Sequence, residues 1–329
     1  RRCRSQGNRR VNIGLGRASG RGSIISMNQS ELVSRILELK KQRDAVILVH
    51  NYQRPEVQDI ADCLGDSLDL ARRATTIDHP VIVFCGVHFM AESTSMLCPN
   101  KTVLLPREDA GCPLADCATP EQVRAMRARH PDAVFIAYIN TSAAVKAECD
   151  VCATSANALR IIGHFPDRDI VYLPDRNLAD YAERMLNRTI IKWPGQCYVH
   201  DRLITVEAVE AVKRQVPGAC VMAHPEAPRS VLEHAHVITG TNGMVREAGT
   251  NPATDFIVVT ETGLVHRLRK EHPEKRFHEI PGAVCSNMKL TSLRSVHDAL
   301  RDMQTRITVD PSIASRARIP LDRMLELSR

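Results

Sequence analysis

Three features of the sequence predict an α/β fold of three similar units. Each unit is a three-layer αβα sandwich on a parallel sheet, and pseudo-threefold symmetry arranges them around one central site. First, short apolar segments alternate with helical stretches, and strands that are apolar throughout belong to parallel sheets covered on both faces. Second, a polar anchor, a hydroxyl residue and a loop cysteine recur in that order three times. Third, the recurrence has a period of 85–88 residues, too long for the strand–helix step of a single barrel and suited to a small sandwich.

The elements follow in chain order. Residues 1–26 hold seven arginines and no acid, show no apolar periodicity, and read as an appendage. They suggest a misplaced start or an expression scar, with an acid-poor transit peptide as the alternative. Gly14, Gly16 and Gly20 have the wrong spacing for a dinucleotide fingerprint, and no strand precedes them. Fold reasoning therefore starts at Met27, ahead of a helix that Asn28 and Glu31 open.

The first unit, 27–118, runs from Asp44-Ala45-Val46 through a strand to His50-Asn51-Tyr52, then Ser67, a buried strand at Val81–Cys85, and Cys112. The second, 119–204, opens on Thr119-Pro120-Glu121-Gln122, a hydroxyl cap with proline at the first helical position. It continues through Tyr138-Ile139-Asn140, Ser155, the strand Ile170–Leu173 and Cys197. The third, 205–290, starts at Thr205 and runs through His224-Pro225-Glu226, Thr241, Phe256–Val259 and Cys285. A helix from Thr291 and the tail to Arg329 close the structure. Anchor to hydroxyl is 17 residues each time, and anchor to cysteine is 62, 59 and 61.

Composition excludes two classes. The net charge of +6 sits in the first 26 residues and leaves the remainder at −1, so the body has no electrostatic footprint for nucleic acid. No apolar run reaches the roughly 18 residues of a membrane span. Eleven cysteines without a secretory signal point to a reducing compartment and free, catalytic or metal-bound thiols. The cytoplasm is expected, with the plastid as the alternative should the extension be a transit peptide.

Ligands of parallel α/β units bind beyond the carboxyl ends of the strands, where His50, Tyr138 and His224 fall. Ser67, Ser155 and Thr241 are expected at the N-caps of the following helices, where free N–H groups attract anions. Three such positions facing one centre suggest a ligand with several carboxylate or phosphate groups. Threefold packing brings Cys112, Cys197 and Cys285 together, and three thiolates suit zinc with an open position or an iron–sulfur cluster. Ligands so far apart in sequence favour the larger cluster. Cys149-x-x-Cys152 reads as buried or incidental, and Cys63, Cys85, Cys98 and Cys220 as core or loop thiols. Cys117 is expected to be a bystander near Cys112, His200, three after Cys197, to pack locally rather than ligate zinc, and His234-x-His236 not to be a metal site.

At these residues the sequence resembles the quinolinate synthase family, iron–sulfur enzymes of de novo NAD biosynthesis. The resemblance runs from about Met27 to the C-terminus. It is carried by His50-Asn51-Tyr52-Gln53, Gly65-Asp66-Ser67, Tyr138-Ile139-Asn140-Thr141, Thr154-Ser155-Ala156-Asn157, Trp193-Pro194-Gly195 before Cys197, and His224-Pro225-Glu226. It implies condensation of iminoaspartate with dihydroxyacetone phosphate to give quinolinate, phosphate and water, with functional coupling to an L-aspartate oxidase or dehydrogenase. It also implies a 4Fe–4S cluster on Cys112, Cys197 and Cys285 with one open iron. His50, Ser67, Tyr138, Asn140, Ser155, His224, Glu226 and Thr241 would line the substrate site. Tyr52 and Glu226 would move protons, with His50 and His224 beside them. Two departures stand out: Gly240 replaces a usual hydroxyl, and Ala227 a frequent cysteine. The competing classes are an iron–sulfur electron carrier or redox sensor, which needs a fourth ligand or a docking surface, and a zinc-structured scaffold.

Overall fold

The structure, a computed structural model, describes residues 27–328; the appendage expected at 1–26 lies outside them. The first helix, Gln29–Gln42, begins as its sequence predicts. The Asn28 side chain accepts from the Glu31 N–H at 3.0 Å, and Glu31 returns a bond to the Asn28 N–H at 2.9 Å.

Three four-stranded parallel sheets follow. The first contains β1 (Ala45–His50), β2 (Cys63–Gly65), β3 (Val81–Cys85) and β4 (Thr102–Leu104). The second contains β5 (Val134–Tyr138), β6 (Val151–Ala153), β7 (Ile170–Leu173) and β8 (Ile191–Lys192). The third contains β9 (Cys220–Ala223), β10 (Val237–Ile238), β11 (Asp255–Val259) and β12 (Arg276–Glu279). All three share one order, β2-β1-β3-β4, β6-β5-β7-β8 and β10-β9-β11-β12. The apolar strands read from sequence are the two central strands of each sheet. The short edge strands are not legible, because two to four residues carry no usable period.

Each sheet is buried on both faces. Leu32, Ile36 and Leu39 of the first helix pack on one face of the first sheet. Beside them lie Leu293, Val296 and Leu300 of the helix Leu293–Asp302, which thus returns from the far end of the chain to the first unit. That helix is capped by Ser292, one residue after the expected Thr291. Thr119 and Thr205 cap Pro120–Arg129 and Val206–Gln215 as expected. The inner faces of the first two sheets share a core with Ala317, Leu321 and Met324 of the last helix, Pro311–Leu327. Val209 and Val212 cover one face of the third sheet, and Met244, Leu264 and Leu268 the other.

In this strand order the chain leaves the first strand in one direction and crosses back over it to the next. The crevice outside the carboxyl ends of those two central strands is therefore the place where a ligand fits. The fold has three such crevices.

Candidate active site

The three crevices open into one cavity, which holds about 770 Å³ of unfilled space, part of it open to solvent. The first unit lines it with His50, Tyr52, Ser67 and Cys112; the second with Tyr138, Asn140, Ser155 and Cys197. The third contributes His224, Glu226, Thr241 and Cys285. The structure thus brings all twelve sequence-predicted residues to one wall.

The two anchor histidines are held alike. His50 Nδ1 accepts the Tyr52 N–H at 3.2 Å, and His224 Nδ1 accepts the Glu226 N–H at 3.4 Å. Accepting at Nδ1 leaves the proton of a neutral imidazole on Nε2. His224 Nε2 lies 3.1 Å from Ser155 Oγ. Burial lowers both histidines to about 3, helped at His50 by the Lys289 cation and opposed at both by Glu226. Neutral rings with an N–H at Nε2 can donate to an anion without a fixed charge.

The three hydroxyls depart from expectation. Ser67 and Thr241 are the first helical residues of Ser67–Thr76 and Thr241–Thr250, whose caps are Asp66 and Gly240. Ser155 precedes Asn157, the cap of Ala158–Gly163. The Asp66 carboxylate takes the capping role by accepting the Asp69 N–H at 2.9 Å. The Ser67 hydroxyl is therefore not spent on its own helix. Thr241 Oγ1 accepts from Asn51 Nδ2 at 2.8 Å. A Cβ on Gly240 would meet Ser155 Oγ at 2.9 Å, so any side chain at this position would crowd Ser155 across the seam between units.

A chain of hydrogen bonds crosses the cavity wall. Tyr52 Oη lies 2.6 Å from Thr260 Oγ1, which lies 2.8 Å from His200 Nε2. His200 Nδ1 lies 2.9 Å from Glu226 Oε2, and the Tyr138 hydroxyl donates to Glu226 Oε1. If Nδ1 donates to the carboxylate, the chain has one direction: Tyr52 to Thr260 to His200 Nε2. Burial raises the Glu226 carboxyl, but His200, His224 and the Tyr138 bond outweigh it and hold the group below its ordinary range. Burial, reinforced by Glu226, pushes the Tyr52 and Tyr138 phenols well above 10.

Sequence reasoning missed two members of this chain. His200 is not a local packing residue: it is buried, and it stacks on His224 with ring centroids 4.7 Å apart. Its one signal was its place three residues after Cys197. Thr260 gave none, since no counterpart recurs in the other units.

Two buried carboxylates hold the cysteine loops. Asp175, two residues past β7, accepts the Cys197 N–H at 3.2 Å and the Leu178 N–H at 2.8 Å. Glu261, two residues past β11, accepts the Cys285 N–H at 3.1 Å and pairs with Lys289 Nζ at 2.9 Å. Val87 stands at this position in the first unit. Gly195 completes the second loop: a Cβ there would lie 2.4 Å from the Pro174 carbonyl and 2.6 Å from Cys117 Cβ.

Burial raises the Cys112 thiol to about 12 and moves Cys197 and Cys285 upward. Cys285 adds to the rise at Cys112, and Cys112 to that at Cys197, so the three sulfurs lie in one another's field. Three convergent soft donors fit an iron–sulfur cluster. Cys197, His200 and Glu226 also offer ligand atoms within 4.8 Å of one another. Within that group His200 Nδ1 lies 2.9 Å from Glu226 Oε2 and 3.4 Å from Cys197 Sγ. Elsewhere, Cys152 is buried in β6, and the Cys149 thiol lies 3.3 Å from the Val145 carbonyl. His234 pairs with Glu210 at 2.7 Å, and His236 Nδ1 accepts the Val221 N–H at 2.9 Å. Among the described residues no helix is long and apolar enough to cross a membrane.

The family described as Quinolinate synthetase A protein matches residues 34–326. The chain is 49% identical over 297 residues to a quinolinate synthase of Methanoregula boonei, covering 90% of this chain and 98% of that one. It is 48% identical over 300 residues to that of Desulforudis audaxviator, with the same two coverages. With that of Geotalea uraniireducens it shares 46% over 304 residues, 92% of this chain and all of the relative.

Proposed function

The chain belongs to the quinolinate synthase family, and from that premise we propose how its residues divide the work. It is a quinolinate synthase, an enzyme of NAD biosynthesis in a family of 4Fe–4S proteins. Its substrates are iminoaspartate and dihydroxyacetone phosphate, which condense to quinolinate with loss of phosphate and water. We assign the cluster to Cys112, Cys197 and Cys285, with one iron left open. When bound, the cluster supplies a Lewis acid at the cysteine end of the cavity.

The remaining chemistry belongs to side chains. His50 and His224 offer Nε2–H donors, and Asn140, Ser67, Ser155 and Thr241 offer further polar groups, so two anionic reactants can be held side by side. Bringing them together supplies the orientation that a bimolecular condensation needs. Enolisation and dehydration then require protons to leave carbon and reach departing oxygens. Tyr52 faces the cavity with a neutral phenol, and Thr260 connects that phenol to His200, which Glu226 orients. The arrangement follows the logic of a nucleophile–base–carboxylate triad, with the tyrosine as the group that exchanges protons with substrate. Tyr138 keeps Glu226 ionised and in place.

The observation that carries this reading is the convergence of equivalent residues from three repeats on one cavity. Anaerobically reconstituted protein should form quinolinate from the two substrates. Serine at Cys112, Cys197 or Cys285 should deplete iron and abolish turnover, whereas serine at Cys117, Cys149 or Cys152 should retain about four irons per chain. An unchanged iron content in any one of the first three variants would remove that cysteine from the assignment. The units 27–118, 119–204 and 205–290, closed by 291–329, follow the same repeat. Supply of the unstable imine favours coupling to an L-aspartate oxidase or dehydrogenase in the cytoplasm.

A further inference from the structure

We propose that Gln58 and Lys146 are positioning residues that fix the turns carrying Tyr52 and Asn140. The inference rests on the site reading above and concerns two buried polar groups that the chemistry leaves unused. Both stand eight residues after their anchors, Gln58 after His50 and Lys146 after Tyr138. Both are buried, Gln58 at 4% exposure and Lys146 at 0%.

Their contacts repeat. Gln58 Nε2 donates to the carbonyls of Asn51 at 3.1 Å and Gln53 at 2.9 Å, one and three residues past the anchor. Lys146 Nζ donates to the carbonyl of Ile139 at 2.8 Å and to that of Thr141, again one and three past the anchor. The residue between the two held carbonyls is Tyr52 in one unit and Asn140 in the other. Two peptide planes tied to one nitrogen fix the backbone on either side of that residue, and so the direction in which its side chain leaves the turn.

The third unit achieves the same result without a donor at this place. Leu232 stands eight residues after His224, and the turn is instead stiffened by Pro225. Asn177 Nδ2 holds the Glu226 carbonyl at 3.0 Å.

A core role alone would be served better by leucine, as in the third unit. Lys146 has no carboxylate among its hydrogen-bond partners, and burial lowers its affinity for a proton. Gln58 Oε1 is buried with no partner among the described residues. Apolar residues of similar length would avoid both costs. What they would lose is the grip on the two carbonyls and, at Lys146, the contact of Nζ with the Phe89 ring, 5.4 Å from its centroid. Gln58 Nε2 also reaches the Gly263 carbonyl at 2.8 Å, so its two hydrogens are shared among three carbonyls and tie the Tyr52 turn to the unit that supplies Thr260.

The test uses full-length, cluster-reconstituted protein carrying Lys146→Met, Lys146→Gln, Gln58→Met or, for comparison, Asn140→Ala. Melting temperature, quinolinate dissociation constant, KM and kcat are measured for each. Lys146→Met should weaken quinolinate binding and raise KM about tenfold or more, as should Asn140→Ala, while Lys146→Gln, which keeps N–H donors, should stay within about threefold of wild type. Gln58→Met should instead lower kcat about tenfold or more with KM little changed, because the residue it frees is Tyr52. The proposal is overturned if Lys146→Met and Gln58→Met match wild type while Asn140→Ala loses binding. It is also overturned if Lys146→Gln is as impaired as Lys146→Met, or if neither methionine variant folds, which would make the pair core supports. Unchanged binding in Asn140→Ala would instead refute the site reading, and the proposal with it.

Discussion

Thr260→Val cuts the hydrogen-bonded chain at its centre and changes little else. Valine has nearly the shape of threonine, so packing at the end of β11 is kept, but the hydroxyl joining Tyr52 Oη at 2.6 Å to His200 Nε2 at 2.8 Å is gone. Two polar atoms lose a partner beside a cavity wall where His200 is 2% exposed. Each stranded group costs about 1–3 kcal/mol, so the folded protein should lose roughly 2–6 kcal/mol, less where water replaces the hydroxyl. Positioned proton transfer contributes about 10²–10⁴-fold, so kcat should fall by that factor, about 3–5 kcal/mol in the barrier. Thr260 is not among the residues lining the cavity, so quinolinate affinity should change little. The assay is steady-state quinolinate formation beside product binding and thermal melting, with Thr260→Ser as the restoring variant. A Thr260→Val enzyme with wild-type kcat, or a serine variant that restores nothing, would refute the relay.

Other outcomes follow from the same geometry. Alanine at Ser67, Ser155 or Thr241 should weaken quinolinate binding by about 1.5–3 kcal/mol each, the range for a hydrogen bond to a charged group, as read by calorimetric titration. In cluster-free protein, acid should destabilise the fold through His50 and His224, whose folded values near 3 lie below the unfolded 6.5. The unfolded chain then binds more protons, so stability present above pH 6.5 falls as pH drops towards 3, by about 2 kcal/mol per histidine at pH 5. Chemical denaturation at pH 7 and pH 5 measures it, and His50→Asn should remove part of the difference. Asp175→Asn should loosen the Cys197 loop, lowering retained iron and stability by about 1–3 kcal/mol, because an amide N–H would face the Cys197 N–H or the Leu178 N–H. Deletion of residues 1–26 should leave melting and turnover unchanged, since the first helix carries its own capping box at Asn28.

Much of this was legible because the chain repeats. Recurrence at equal spacing located His50, Tyr138 and His224, and the cysteines with them, since residues at equivalent positions of equivalent sheets must face one centre. Features without a repeat were not legible. His200 and Thr260 act through contacts between units, which one-dimensional spacing does not encode. The hydroxyl positions erred by one or two residues because Asp66, Gly240 and Asn157 end the preceding loops, and adjacent polar residues compete for a cap on local geometry. The repeat in Gln58 and Lys146 was hidden by its chemistry, an amide in one unit and an amine in the other.

The central claim is that Cys112, Cys197 and Cys285 hold a 4Fe–4S cluster whose fourth iron is open to substrate. Mössbauer spectra of anaerobically reconstituted protein, with and without quinolinate, test it most directly. About four irons per chain are expected, with one iron site shifted by the dicarboxylate and the others unmoved. A spectrum indifferent to quinolinate, with cluster loss on replacing a fourth cysteine, would describe a fully ligated electron carrier and contradict it.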